Sequence, residues 1–340
     1  MKISTIPIVY IKAALARAKQ QGCDCNELLS QARVPQEQLE SVLGRVSIAT
    51  YVEFSKILAV KLNDESCGLL YPPVQLGSFS MLCHSCINCR DLGHFLHRSV
   101  KFFGLIGNNL ELKLSIKDDY AYYSINITKP SSAESKHAVM ILMAIAHRLS
   151  SWAINKRITL KEVNIGHCVD SAKKDYHYLF DGPVNFNMAK NELVFHANFL
   201  TSPVLQDQQS LSKFLEDPVI TLLSSMENDN SLTSKIRELV KDNVSANFPS
   251  FEAVADQLHL TTSTLRRRLA VEGINYRQIK DDLRRDYAIY QLEQGITIEQ
   301  VAQNIGFAEP SSFFRSFKRW TGTTPKTYIK NPESTPTEDT

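Results

Sequence analysis

No stretch of the chain approaches the roughly 18 consecutive apolar residues that a membrane-spanning helix needs, so none is expected. The apolar run Ile6–Ile11 is broken by Pro7 and followed by Lys12 and Arg17, without a small-residue cleavage site. It reads as the start of an amphipathic helix and not as a secretory leader. Cysteine occurs seven times, an odd number with no even framework, which points to a reducing, cytoplasmic setting. The signatures of common enzyme classes are also missing: no Gly-rich phosphate loop, no Gly-x-Ser-x-Gly elbow and no His-Glu-x-x-His pair. An enzyme is therefore the weaker class, and no cofactor is expected.

What is present fits two globular domains, because 340 residues exceed one ordinary core. Hydrophobic residues make up 43% and charged residues 22%. The formal net charge of +2 conceals an uneven distribution. Residues 231–332 hold fifteen Lys and Arg against eleven Asp and Glu, whereas the preceding 230 residues are nearly balanced. Positive charge thus gathers in the C-terminal third, as expected of a segment that meets phosphate.

Apolar residues at three- and four-residue spacing predict helices at Val9–Lys19, Cys25–Gln31, Ile48–Leu62 and Leu92–Phe103. Tyr71-Pro72-Pro73 and Gly77 mark loop, and Asn88 to Asp91 look like a helix start. From Leu110 the period changes: Leu110, Leu112, Leu114 and Ile116 alternate with polar residues, Asp118-Asp119 turns the chain, and Tyr123, Ile125 and Ile127 alternate again. This predicts a β-hairpin. A buried helix over Ala138–Trp152 and strands at Ile158–Ile165 and Asn191–His196 complete an α+β N-terminal domain that ends near Thr201-Ser202-Pro203. Glu227 to Ser231 is rich in turn formers, and the expected division is 1–210, a linker 211–230, then 231–332. The tail 333–340, of Pro, Thr and acid, is expected to be disordered.

A weak repeat runs through the C-terminal third. Val254, Leu258 and Leu260 recur after 47 residues as Val301, Ile305 and Phe307. Leu265 and Leu269 recur after 48 as Phe313 and Phe317, and Gly273 after 49 as Gly322. The pattern encodes a helix, a short turn and a second helix, used twice, at about 250–273 and 298–322. Tyr276–Glu293 has the length of a connecting helix. In the second copy Phe313, Phe317 and Trp320 fall on one side of a helix, leaving Ser311, Ser312, Arg315 and Lys318-Arg319 for the other.

The order Gly306-Phe307, Ser311-x-Phe313-x-Arg315-x-Phe317-Lys318, then Gly322-x-Thr324-Pro325 resembles the second helix-turn-helix of the AraC/XylS family of bacterial transcription regulators. The resemblance implies an all-α C-terminal domain whose two helix-turn-helix units bind double-stranded promoter DNA. In the first unit, Ser263, Thr264, Arg266, Arg267 and Arg268 have the chemistry to reach bases and phosphates, since the Arg fork pairs with guanine O6 and N7. In the second, Ser311, Ser312, Arg315 and Lys318 are the candidates. Spacing and resemblance favour Arg266, Arg267 and Arg315 as groove-facing; Arg268 packs sideways or touches phosphate. Short hydroxyls at Ser311 and Ser312 leave most base recognition to the first unit. Arg284 and Arg285 either touch phosphate or pair with Asp281 and Asp282 on their own helix.

The N-terminal two-thirds resembles the arabinose-binding-like domain of one AraC/XylS subgroup, through Ala32-Arg33-Val34, Arg45-Val46, Gly77-Ser78-Phe79, Tyr178-Leu179-Phe180, Gly182-Pro183-Val184 and Pro203-Val204. It implies an effector-sensing domain, with RNA polymerase and a second copy of the chain as further partners. His167, Tyr176 and Tyr178, near expected strand ends, are candidate effector contacts. Cys83, Cys86 and Cys89 follow one another with two residues between, a spacing that suits thiolate ligands, but no matching second pair exists and buried cysteines also serve as small hydrophobes. Two alternatives stay open beside the small-effector reading. One is a cysteine-based redox or metal sensor with the same DNA module; the other is an N-terminal domain that only dimerises.

Overall fold

The computed structural model describes residues 5–128, 135–166, 180, 182–224, 232–241, 244, 248–272 and 274–329. The chain divides into two compact units, one of Tyr10–Cys25 with Ser55–Met226, the other of Met1–Val9, Asn26–Phe54 and Glu227–Thr340. Its first elements are β1 (Thr5–Pro7), α1 (Val9–Gln20), α2 (Cys25–Gln31), α3 (Glu37–Glu40), β2 (Arg45–Ser47) and α4 (Ile48–Leu62). Next come α5 (Ser78–Cys86) and α6 (Leu92–Ile106). The helices expected from apolar spacing therefore form, α6 being capped by Asp91, whose carboxylate accepts from the His94 amide at 2.9 Å. Helix α5 lacks an apolar period, because its polar positions Ser78, Ser80, His84 and Ser85 interrupt it.

The expected hairpin is β3 (Leu110–Lys117) and β4 (Tyr120–Ile127), with Asp118 at the turn in the left-handed region, φ 52°. Helix α7 (Ser135–Ala153), then β5 (Leu160–Asn164), β6 (Val184–Asn185) and β7 (Glu192–His196) follow. The five strands lie in the order β3-β4-β7-β5-β6, antiparallel except for β5 and β6. Register makes the sheet two-faced. Leu114, Tyr123, Leu193, Val163 and Val184 align across all five strands on the core side. The neighbouring row is Lys113, Ser124, Glu192, Asn164 and Asn185, which faces the other way. Val139, Met140, Met143 and Ala144 of α7 and Phe95 and Leu96 of α6 fill the core against the first row. Arg148 is also buried; its guanidinium donates to the Leu222 carbonyl at 3.2 Å, and burial pulls its pKa down to about 10.

A 3-10 turn (Ala197–Thr201) leads to α8 (Gln208–Glu216) and α9 (Pro218–Ser224). Within the segment expected to link the domains, the described residues up to Ser224 are thus helical except Asp217, which joins the two helices. The polar start Asp207 to Ser210 is a capping box. Behind it Leu211, Phe214 and Leu222 enter the same core, with the Phe214 ring stacked 4.4 Å from Trp152.

The second unit contains α10 (Leu232–Val240), α11 (Phe251–Gln257), α12 (Thr262–Val271), α13 (Tyr276–Glu293), α14 (Ile298–Asn304), α15 (Pro310–Thr321) and α16 (Pro325–Tyr328). The repeat seen in the sequence is the pair α11–α12 and the pair α14–α15, joined by α13. One core serves both pairs: Val254, Leu265 and Leu269 meet Ile279, Leu283 and Ile289 of α13, which meet Val301, Ile305, Phe313 and Phe317. The shared core couples the two pairs, since packed interiors resist continuous deformation. The unit also holds the two-stranded sheet β1–β2, paired Thr5 to Ser47, Ile6 to Val46 and Pro7 to Arg45. Among the described residues no helix is long and apolar enough to cross a membrane.

Candidate nucleic-acid interface

In the first pair, Ser250 caps α11 and Thr261 caps α12, its hydroxyl accepting from the Thr264 amide at 3.2 Å. His259 takes the left-handed turn between them, φ 54°. Leu265 and Leu269 are buried, so at about 100° per residue Ser263, Arg267 and Ala270 point the opposite way. The three arginines are all exposed but differ in surroundings. Arg266 leans back towards α11, its guanidinium 5.6 Å from the Phe251 ring centroid. Arg267 and Arg268 line an open cleft of about 360 Å³ with Leu232, Lys235, Val271 and Glu272. Lys235 adds a third cation there, and only the tertiary packing of α10 beside α12 reveals it. Thr264 receives a hydrogen bond from the Thr261 hydroxyl at 2.9 Å, and Ser263 lies 3.0 Å from the same oxygen.

In the second pair Thr297 caps α14, Gly306 takes the turn at φ 80°, and Pro310 opens α15. Phe313, Phe317 and Thr321 are fully buried, while Trp320 is only half-buried. The stripe read as Phe313, Phe317 and Trp320 thus closes with a threonine whose hydroxyl bonds the Phe317 carbonyl at 2.9 Å. Arg315 is exposed opposite that stripe, with Ser311, Lys318 and Arg319 beside it. Ser312 is half-buried and lies 3.4 Å from Arg315, and Arg319 reaches Asp281 of α13 at 3.3 Å. The repeat offset carries Arg267 onto Arg315, so the two pairs present an arginine at equivalent outward positions.

The connecting helix resolves the open question about its two arginines. Arg285 pairs with Asp282 at 2.8 Å and with Asp286 at 2.8 Å, nearly out of solvent. Arg284 donates to the Ile305 carbonyl at 3.1 Å, with its guanidinium 5.0 Å from the Phe248 ring and 5.6 Å from Phe307. Burial lowers its pKa, and the Asp281 carboxylate works in the opposite direction. Both arginines bind protein groups; Asp282, and not Asp281, is the helix partner of Arg285, with Asp286 as a second partner.

In the other unit, the candidate effector residues His167, Tyr176 and Tyr178 lie outside the described residues. Cys83 and Cys86 are on the buried face of α5 and Cys89 follows it, all within the core. Burial pushes the Cys83 thiol up to about 12, and those of Cys86 and Cys89 upward as well. Among the described residues no His, Cys, Asp and Glu side chains are grouped to hold a metal ion. A raised pKa means less thiolate, the reactive form, at neutral pH. Iodoacetamide at pH 7 should therefore label half-exposed Cys23 and Cys25 well before these three, with the difference vanishing in denaturant. Early loss of Cys83 in the native protein would contradict this burial.

A family model described as the arabinose-binding domain of AraC transcription regulator, N-term, matches residues 22–204, and a helix-turn-helix domain model matches residues 254–331. The chain is 24% identical over 329 residues to the ornithine utilization regulator of Pseudomonas aeruginosa, covering 96% of this chain and 97% of that one. It is 40% identical over 86 residues to the HTH-type transcriptional regulator VqsM of the same species, 25% of this chain and 26% of that protein. Among solved structures, the transcriptional regulator CdpR from Pseudomonas aeruginosa aligns at 20% identity and a TM-score of 0.33, covering 95% of this chain and 98% of that one. With one family match spanning more than half of the chain and the other spanning most of both helix pairs, the chain belongs to the AraC family of DNA-binding transcription regulators, with an N-terminal ligand-binding domain.

Proposed function

We propose that α12 and α15 are the base-reading helices of this regulator and that they enter successive major grooves on one face of the duplex, about 34 Å apart. The observation that carries this reading is the equivalence of Arg267 and Arg315: each is exposed on a helix whose opposite face is locked into the common core. Ser263, Thr264 and Arg266 flank Arg267, and Ser311, Ser312 and Lys318 flank Arg315. Arg268, beside Lys235 in the cleft, suits a phosphate. Because one chain supplies both helices, it can read an asymmetric site unaided.

The test is to select the binding site from random duplex DNA and then measure Arg267→Ala and Arg315→Ala against it. Each should lose about 1–3 kcal/mol of specific binding if it makes a bidentate guanine contact, and each should relax base preference in a different half of the site. Unchanged affinity and footprint for both variants would remove this assignment.

We further infer that the N-terminal domain binds a small effector that favours one state of the regulator, which requires tighter binding to that state. The regulator named for ornithine utilization supports a metabolite effector. RNA polymerase, a second copy of the chain and a cytoplasmic location accord with regulation at a promoter. A thermal-shift screen of the full chain against metabolites tests the effector, because a ligand of the native state raises apparent stability.

A further inference from the structure

The DNA-binding unit includes a segment from the beginning of the chain. Its two short strands are tied together by their ladder, by the Ile8 amide donating to the Gly44 carbonyl at 2.8 Å, and by Arg45, which donates to the Thr5 hydroxyl at 2.8 Å and to the Thr5 carbonyl at 3.0 Å. Gly44 permits this closeness: a Cβ there would sit 2.4 Å from the Gln38 carbonyl oxygen and 2.8 Å from Ile8.

The segment grips three elements of the unit. On α13, buried Asp286 accepts from the Thr5 hydroxyl at 2.6 Å, and Glu293 accepts from the Ser47 amide at 3.1 Å and the Thr50 hydroxyl at 2.8 Å. At the C-terminal end of α15, Ser41 donates to the Thr321 carbonyl at 2.6 Å and Gln38 donates to the Thr323 hydroxyl at 2.6 Å. On α16, the Tyr328 hydroxyl donates to Glu293 at 2.7 Å and lies 3.2 Å from the Arg45 carbonyl. Thr5, Gln38, Ser47, Asp286 and Thr321 are all buried, so these bonds form away from water, where an unmet polar group is costly. Gly322, which ends α15, is seated against the segment at φ 79°, and a Cβ on it would meet the Ser41 oxygen at 2.1 Å.

None of these contacts touches Ser311, Ser312 or Arg315, which lie in the N-terminal half of α15. The segment holds the far end of the helix and leaves its exposed arginine uncovered. We propose that residues 5–8 and 36–50 are a positioning element for α15, fixing the angle at which the second helix pair meets DNA. Chain continuity gives the element a second property. After Val9 and after Phe54 the polypeptide runs directly into the other unit. Strain arising there reaches α13 through Thr5 and Ser47, and the C-terminal end of α15 through Ser41. The proposal rests on α15 being a reading helix, and the experiment separates the two ideas.

Full-length Ser41→Ala, Thr5→Val and the double variant are compared with Arg315→Ala on the selected site, by affinity and by hydroxyl-radical footprinting of each half. The expected result is about a tenfold loss for the double variant. Protection should fade over the half read by α15 and persist over the half read by α12. Thr5→Ser, which keeps the hydroxyl, should restore binding. The single Ser41→Ala variant removes one hydroxyl only and keeps the test available should the double variant unfold. Equal loss over both halves, unchanged affinity, or tighter binding would each overturn the proposal, the last by making the segment an inhibitor. If Arg315→Ala alone leaves binding intact, the reading of α15 fails instead.

Discussion

Replacing Phe317 with alanine is expected to destabilise the DNA-binding unit by about 3–5 kcal/mol. The ring is completely buried, 5.6 Å from the centroid of Phe313 and 5.6 Å from that of Tyr328, both edge-on. Its removal deletes the transfer energy of a large side chain and leaves a cavity that ring neighbours cannot collapse to fill. Since the whole stability of a domain is about 5–15 kcal/mol, this loss is a large share. The core is common to both helix pairs, so urea unfolding followed by DNA affinity should show both halves of the site failing together. Half-buried Trp320, truncated in the same way, should cost clearly less. Equal effects of the two would mean that the core is not centred where the burial pattern puts it.

Gly322→Ala is expected to be the next most damaging single change, at about 2–3 kcal/mol. Two separate penalties meet there. The left-handed backbone at φ 79° disfavours any Cβ, and the new methyl would occupy the place of the Ser41 oxygen. Gly107 provides the control: it has φ 71° with nothing within 4 Å of an added Cβ, so Gly107→Ala should show the backbone penalty alone. Combining Gly322→Ala with Ser41→Ala should recover the steric part and not the conformational part. Thermal midpoints of the four variants decide this. Equal midpoints for Gly322→Ala and Gly107→Ala would remove Ser41 from the account.

Where sequence carried a periodic signal, the fold was legible. Alternation located β3 and β4 and put their turn at Asp118-Asp119; apolar spacing located α1, α2, α4, α6 and α7; and the repeat of Leu265 and Leu269 as Phe313 and Phe317 identified the paired helices. Signals failed where helices start polar or strands are short. The helices Gln208–Glu216 and Pro218–Ser224 run into residues expected as linker, because capping residues and loop residues are the same types. Strands β1 and β2 have three residues each, too few for alternation to show. The bond between Thr5 and Asp286 joins residues 281 positions apart, and no local pattern can announce such a pair. At the candidate interface, spacing and resemblance favoured Arg266, Arg267 and Arg315 as groove-facing. What phase could not show was that Arg266 rests near Phe251, that Lys235 lines the same cleft as Arg268, or that Arg284 is occupied by a backbone carbonyl.

The participation of residues 5–8 and 36–50 in the DNA-binding unit has a consequence for exchanging parts between regulators. Transplanting residues 231–332 onto another protein's sensing domain would carry over the helix pairs but leave Asp286, Glu293 and Gly322 facing a foreign strand pair, or bare water. The transferable module is discontinuous in the gene. A chimaera is expected to keep its native affinity only when both early segments come along, each spliced into the recipient's own chain.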